Sequence, residues 1–278
     1  MAVDRDRLTI DERRHGVVLA GIGKLLAVAS VFVVLLAVGQ DDARILGTGD
    51  LDARHDALAR MLAIAPGERT ADLWQALRQE VDRVVACLDV RSPSPAERQT
   101  LRCDIRPRSE DNYLPDLIQA LGQSRDPSMI PTLIKVAPSG TIAAAGLVRF
   151  GDLAVPALIE SAISSRSGPW VSESGGAMLT LARMLEQPAP DAVQPLGGAN
   201  SLRITDTART LLHTRLTWSN QIPIIALVLA TKDVALRAEV EALATDASEW
   251  RRRGLTDQAR ITQVQNSIRF ALTQHPKP

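Results

Sequence analysis

From Val17 to Val38 the chain is apolar with a single charge, Lys24; beyond it, apolar residues recur in short periodic stretches separated by Gly, Pro and Asp. The run is 22 residues long. At about 1.5 Å per helical residue it reaches roughly 33 Å, enough to cross a hydrocarbon core of roughly 30 Å. Arg5, Arg7, Arg13 and Arg14 precede it, whereas the stretch that follows holds only Arg44 and Arg54 before residue 60. The positive-inside bias therefore predicts a cytoplasmic tail over 1–16, a transmembrane anchor over 17–39 and a body on the far side of the bilayer. Lys24 can snorkel toward the cytoplasmic headgroups. A cleaved secretory signal is the alternative, with 25–38 as its apolar core and Ala37-Val38-Gly39 as a small-residue cut site before Gln40. Both readings export the body. A central helix of a soluble bundle fits less well, because the run is apolar on every face and lies between charged flanks.

Residues 40–49 read as a polar linker. Leu51, Leu58, Met61, Leu62 and Ala65 then fall at helical spacing and stop at Pro66-Gly67. A second helix is predicted over 71–88, with Leu73, Leu77, Val81, Val84 and Val85 as its inward stripe. Ser94-Pro95-Ala96-Glu97 has the form of a capping box opening a helix that ends near Cys103. Residues 50–104 are thus expected to form a helical cap or spacer. From Tyr113 the helices shorten. A Pro, Gly and Asn-rich loop is expected over 188–201, followed by helices near 202–216, 222–230, 234–244 and 257–273. The last carries Ile261, Val264, Ile268 and Leu272 on one face.

Aromatic residues make up only 3% of a chain that is 45% apolar. Ala, Leu, Val and Ile must therefore fill the core, which suits closely packed helices and predicts an all-α fold. Five of the 32 basic and four of the 32 acidic residues lie within 1–39, which leaves the body one charge from neutrality. That balance disfavours a nucleic-acid partner. Lysine occurs only at 24, 135, 232 and 277; the arginine excess is expected to reflect a GC-rich bacterial genome rather than guanidinium chemistry.

Within 113–278 the chain echoes itself. Ile130-Pro131-Thr132-Leu133-Ile134 is matched by Val155-Pro156-Ala157-Leu158-Ile159 one 25-residue step later, with the small-residue run Ile142 to Leu147 between them. These residues resemble HEAT-like repeats, in which paired antiparallel helices stack into an α-solenoid and a proline sits early in one helix of each pair. The resemblance is clearest over 114–185, with a weaker echo at Ile222-Pro223 and 234–244. It implies a stack in which each unit contacts its neighbours and whose extended face binds another protein. An irregular helical bundle is the competing architecture.

Chemistry is sparse. His15, His55, His213 and His275 are scattered, and there is no zinc-protease motif, nucleophile elbow or dinucleotide fingerprint. Gly21-Ile22-Gly23-Lys24 lacks the leading Gly and trailing Ser or Thr of a phosphate loop. Asp50, Asp52, His55 and Asp56 lack the Gly and distal Glu of a calcium loop and read as a solvated helix start. No catalytic residue, metal or cofactor is expected. Cys87 and Cys103, the only cysteines, form a candidate disulfide in an exported body, with two buried thiols as the alternative. Trp250, Arg251, Arg252 and Arg253, together with Trp170, are candidate partner contacts; Trp250 packed against the last helix is the competing reading. Gly21, Gly23, Ala27 and Ser30 could let the membrane helix approach a partner helix.

The expectation is a membrane-anchored extracytoplasmic scaffold bound to a larger membrane complex. A transient envelope assembly factor shares the same physics. The repeats also resemble those of phycobilin lyases, which would imply an enzyme, but those lyases act in the cytosol.

Overall fold

Aspartates start four of the described α-helices. Asp50 accepts from the Ala53 N–H at 2.8 Å, Asp246 from Ser248 at 2.8 Å, and Asp257 from Ala259 at 2.8 Å and Arg260 at 3.2 Å. Each carboxylate satisfies N–H groups that a helix start leaves without partners. The computed structural model describes residues 41–89, 113–137, 141–164, 173–217 and 220–276, and every regular element among them is helical. The anchor, with Gly21, Gly23, Ala27 and Ser30, lies outside the described residues, as do the Ser94 capping box, Cys103 and Trp170. Among the described residues no helix is long and apolar enough to cross a membrane.

Two compact units divide the chain, Met1–Ala76 and Leu77–Pro278, and the division falls inside a helix. In the first, α1 (41–48) precedes α2 (Leu51–Ala63) and the beginning of α3 (Ala71–Asp89). Leu46, Ala57, Leu58 and Met61 are its buried centre. Arg54 is also fully buried and donates to the Asp50 carbonyl at 3.3 Å, so the inward face of α2 is not purely apolar. Arg69 closes the far end of α2: its Nε donates to the carbonyls of Met61 and Ile64, each at 3.1 Å, while its guanidinium lies 5.1 Å from the Trp74 ring centroid. Desolvation by burial holds the Arg69 pKa below its ordinary value. Arg60 is held above its own by the Asp42 carboxylate 2.7 Å away.

The second unit continues from Leu77. Leu77, Val81 and Val84 are buried as the stripe predicts, whereas Val85 is half-buried. The next elements are α4 (Tyr113–Leu121), α5 (Ile130–Val136), α6 (Thr141–Val148), α7 (Val155–Ile163) and α8 (Glu173–Glu186). They are followed by α9 (Gly198–Thr214), α10 (Gln221–Ala230), α11 (Val234–Thr245), α12 (Ala247–Arg252) and α13 (Gln258–Gln274). Buried Glu80 ties α3 to α4, accepting from the Tyr113 hydroxyl at 2.6 Å and from Arg83 at 2.6 Å. Cys87 is disulfide-bonded.

From α5 onward the helices alternate between two rows. One row holds α5, α7 and α9; the other holds α6, α8, α10 and α13, with α8 packed tightly between α7 and α10. Side-chain bonds extend the first row to α11: Arg209 reaches Asp233 at 3.1 Å and His213 reaches Glu239 at 2.7 Å. The echoed positions are equivalent, since Ile130 and Val155 both open helices of the first row and Leu133 and Leu158 are both fully buried. Pro223 stands instead at the start of α10, in the other row. Helices α6 and α10 are apolar nearly all round because they are covered on several sides. Close approach is needed where α4 ends against α6: a Cβ on Gly146 would lie 2.7 Å from the Gly122 Cα.

The 188–201 segment is not the loose interruption the sequence suggests. It is stitched to the α6–α7 turn by Val193 N–H to the Arg149 carbonyl at 2.7 Å and Asp152 N–H to the Gln194 carbonyl at 2.9 Å. Asp152 also accepts from Gly197 N–H at 2.8 Å, where α9 begins, four residues earlier than predicted. The stitch requires Gly151, at φ +57°, because a Cβ there would fall 1.8 Å from the Gln194 carbonyl oxygen.

Candidate functional site

Helix α10 packs more closely on α8 than on α13, and the looser seam leaves an apolar groove of about 560 Å³. Its floor includes Ile225 and Ile268, both almost fully buried, and Ala226 and Ala271 keep it open. Ile222 stands on one rim, 64% exposed, and Phe270 on the other, 67% exposed. Leu202 and Val234 are comparably exposed outside the groove, but Ile222 and Phe270 flank one groove and make its apolar surface contiguous. Gln221 also lines the groove, but its Oε1 is shut away from solvent without a hydrogen-bond partner, so it is a packing cost rather than a contact point.

Gln274 and His275 are shared with an adjoining cleft of about 460 Å³, to which Glu186, Lys232 and Arg237 contribute the charged groups. His275 Nδ1 meets Glu186 at 2.8 Å. Arg237 meets Glu241 at 3.1 Å and donates to the His275 carbonyl at 2.6 Å, closing the end of α13. Lys232, exposed in the α10–α11 turn at φ +59°, makes no ion pair among the described residues. Next to it Asp233 caps α11, and its carboxyl is held below the ordinary range by the Leu236 and Ala235 N–H groups and by Arg209.

Of the residues expected at a partner surface, Trp250 must be corrected. It is fully buried and its indole N–H donates to the Leu243 carbonyl at 2.9 Å, because α12 folds back so that the ring fills space beside α11 and α13. Arg251 and Arg252 remain exposed but are bonded locally, to Gln258 at 2.7 Å and to Glu249 respectively. Arg253 points back to the Leu212 carbonyl at 3.2 Å, near the end of α9. These residues do not converge with the groove.

Sequence reasoning missed Ile222, Phe270 and Lys232. A signal existed for Phe270: two residues beyond Ile268 it falls about 200° round the helix from the buried stripe. Ile222 carried none, lying inside a continuous apolar run. Among the described residues no group of His, Cys, Asp and Glu is placed to hold a metal ion. No family model, curated protein or solved structure matches this chain.

Proposed function

We propose that this chain is a membrane-anchored helical scaffold whose body lies outside the cytoplasm and binds another protein, as an accessory subunit of a larger membrane complex. The observation that carries the reading is the open apolar groove between α10 and α13, with Ile222 and Phe270 uncovered on its rims. Such a surface is costly to leave in water and becomes favourable when a partner covers it. The anchor would be 17–38, supported by its length, its uniform apolarity and the arginines before it. The body would be a short α-solenoid resembling HEAT repeats. Two rows in which each helix packs mainly on its neighbours in the stack support this, as do the equivalent prolines of α5 and α7. In such a stack the internal contacts only have to hold adjacent pairs, and the outer faces are free for docking.

Full-length protein extracted from native membranes in mild detergent is expected to carry one membrane protein in fixed stoichiometry. A monodisperse monomer with nothing bound would refute the scaffold reading. Recovery of the intact chain in the soluble cytosolic fraction would refute the anchor.

A further inference from the structure

We infer that the groove between α10 and α13 receives an apolar helical segment of the partner protein, and that an acidic residue of that segment meets Lys232. The inference rests on the scaffold reading and names the chemistry of its partner.

The groove and the adjoining cleft share Gln274 and His275 in their walls, and Ile222, Ile225, Leu229 and Lys232 line them in turn from one end of α10 to just past the other. Around that surface Arg237 pairs with Glu241 and Asp233 with Arg209, while Glu186 meets the His275 ring. Lys232 is the exception. Its backbone is held in the turn, in a left-handed conformation with the N–H donating to the Leu229 carbonyl at 3.2 Å, and the exposed ammonium is carried from that point. An incoming carboxylate therefore finds a cation at the cleft end of an otherwise apolar seat, and the charge complementarity gives the occupant a direction.

The seat itself runs beside Ile222 and Ile225 at the start of α10 and Ser267, Ile268, Phe270 and Ala271 on α13. A helix laid along this seam would bury an apolar stripe against both rims while turning its own polar face to water, the usual logic of helix-in-groove recognition. An acyl chain would match the lining but would leave the open side of the groove uncovered. Helix α10 spans ten residues, so the acidic residue would sit roughly 15 Å, or about three turns, along from the side chain that rests against Ile222.

The test is selection of a displayed random 12-residue peptide library on the full-length protein in mild detergent, followed by fluorescence anisotropy with the synthesised peptides. Enriched peptides are expected to combine an apolar stripe with Asp or Glu. Phe270→Ser should weaken them at least about tenfold, because an aromatic rim that the bound helix covers is lost. Lys232→Glu should weaken them about fivefold. Exchanging the peptide's acidic residue for Lys should restore binding to the Lys232→Glu protein, which a merely unfolded variant could not do. The inference is overturned if no peptide is enriched, if the peptides ignore Phe270→Ser, or if the charge exchange restores nothing. It is equally overturned if the groove takes up a fluorescent fatty acid while rejecting peptides, or mediates a concentration-dependent dimer that Phe270→Ser abolishes. A stoichiometric partner that still co-purifies with Phe270→Ser would leave the scaffold standing and sink only this assignment.

Discussion

Replacing Gly151 with alanine would place a methyl group where the backbone of the α8–α9 connection already lies. At φ +57° an L-residue costs about 1–2 kcal/mol relative to glycine. The larger effect is steric, because the new Cβ would stand 1.8 Å from the Gln194 carbonyl oxygen. The connection must retreat, and the bonds from Asp152 N–H to Gln194 and from Val193 N–H to Arg149, at 2.9 and 2.7 Å, would stretch or break. At about 1 kcal/mol for each, the total loss is about 3–4 kcal/mol. Urea unfolding of the full chain followed by far-UV circular dichroism measures it. Gly198→Ala is the matched control: nothing lies within 4 Å of its added Cβ, and it opens α9, where alanine should be neutral or stabilising by up to about 1 kcal/mol. If Gly151→Ala unfolds at the wild-type midpoint, the stitched connection does not hold the stack together and the reasoning fails.

Arg69→Lys should cost about 1–2 kcal/mol, because an ammonium cannot reproduce the guanidinium that serves the Met61 and Ile64 carbonyls while lying over Trp74; an unchanged melting temperature would show the cap to be dispensable. Gln221→Leu should stabilise by about 1 kcal/mol, since the buried Oε1 has no partner, and a clear loss of stability in the same melt would mean that the amide is satisfied after all. Asp233→Ala should destabilise by about 1 kcal/mol near neutral pH through loss of the α11 cap. The Leu236 and Ala235 N–H groups and Arg209 hold the Asp233 carboxyl below its ordinary range, so the wild-type advantage is present above about pH 4 and disappears as pH falls through the lowered folded value; an advantage that does not shrink as pH is lowered below about 4 would contradict that cause. Cys87 is disulfide-bonded and the sequence offers Cys103 as its one intramolecular partner, so intact mass should rise by two hydrogens on reduction, with about 3 kcal/mol of stability lost; a mass that rises by a second chain's worth on oxidation would point to an intermolecular bond.

Much of the helical order could be read locally. The 3.6-residue period placed α2, α3, α10, α11 and α13 within a few residues of where they lie, because one stripe of apolar residues must face a core whatever that core is. Asp233 and Asp257 sit where the helices start, and their caps depend only on residues two or three positions away. The 25-residue echo between Ile130 and Val155 corresponds to one step along a row. The boundaries that slipped, such as the start of α9 at Gly198, are set by long-range bonds such as Gly197 to Asp152. The groove was not legible for the same reason. The spacing around Phe270 turns it away from the buried stripe, but does not encode that α10 packs less closely on α13 than on α8 and so leaves a groove beside it.

Arginine shows the division most clearly. In the sequence its excess over lysine carries no assigned chemistry, yet in the fold Arg69, Arg237, Arg253 and Arg269 each donate to carbonyls near the end of a helix, the last to Ala244 at 3.2 Å. Four helix ends thus have their free acceptors satisfied by guanidinium groups that reach from another element or a later turn. By itself the sequence determined the helical class, the apolar run over 17–38 and the local start signals, since these follow from periodicity, length and neighbouring side chains. Tertiary structure alone decided that Trp250 is buried, that Ile222 is exposed and that the Gln194 carbonyl comes too close to residue 151 to leave room for a Cβ. Each of those depends on a contact between segments far apart in the chain, whose free energy no local pattern contains.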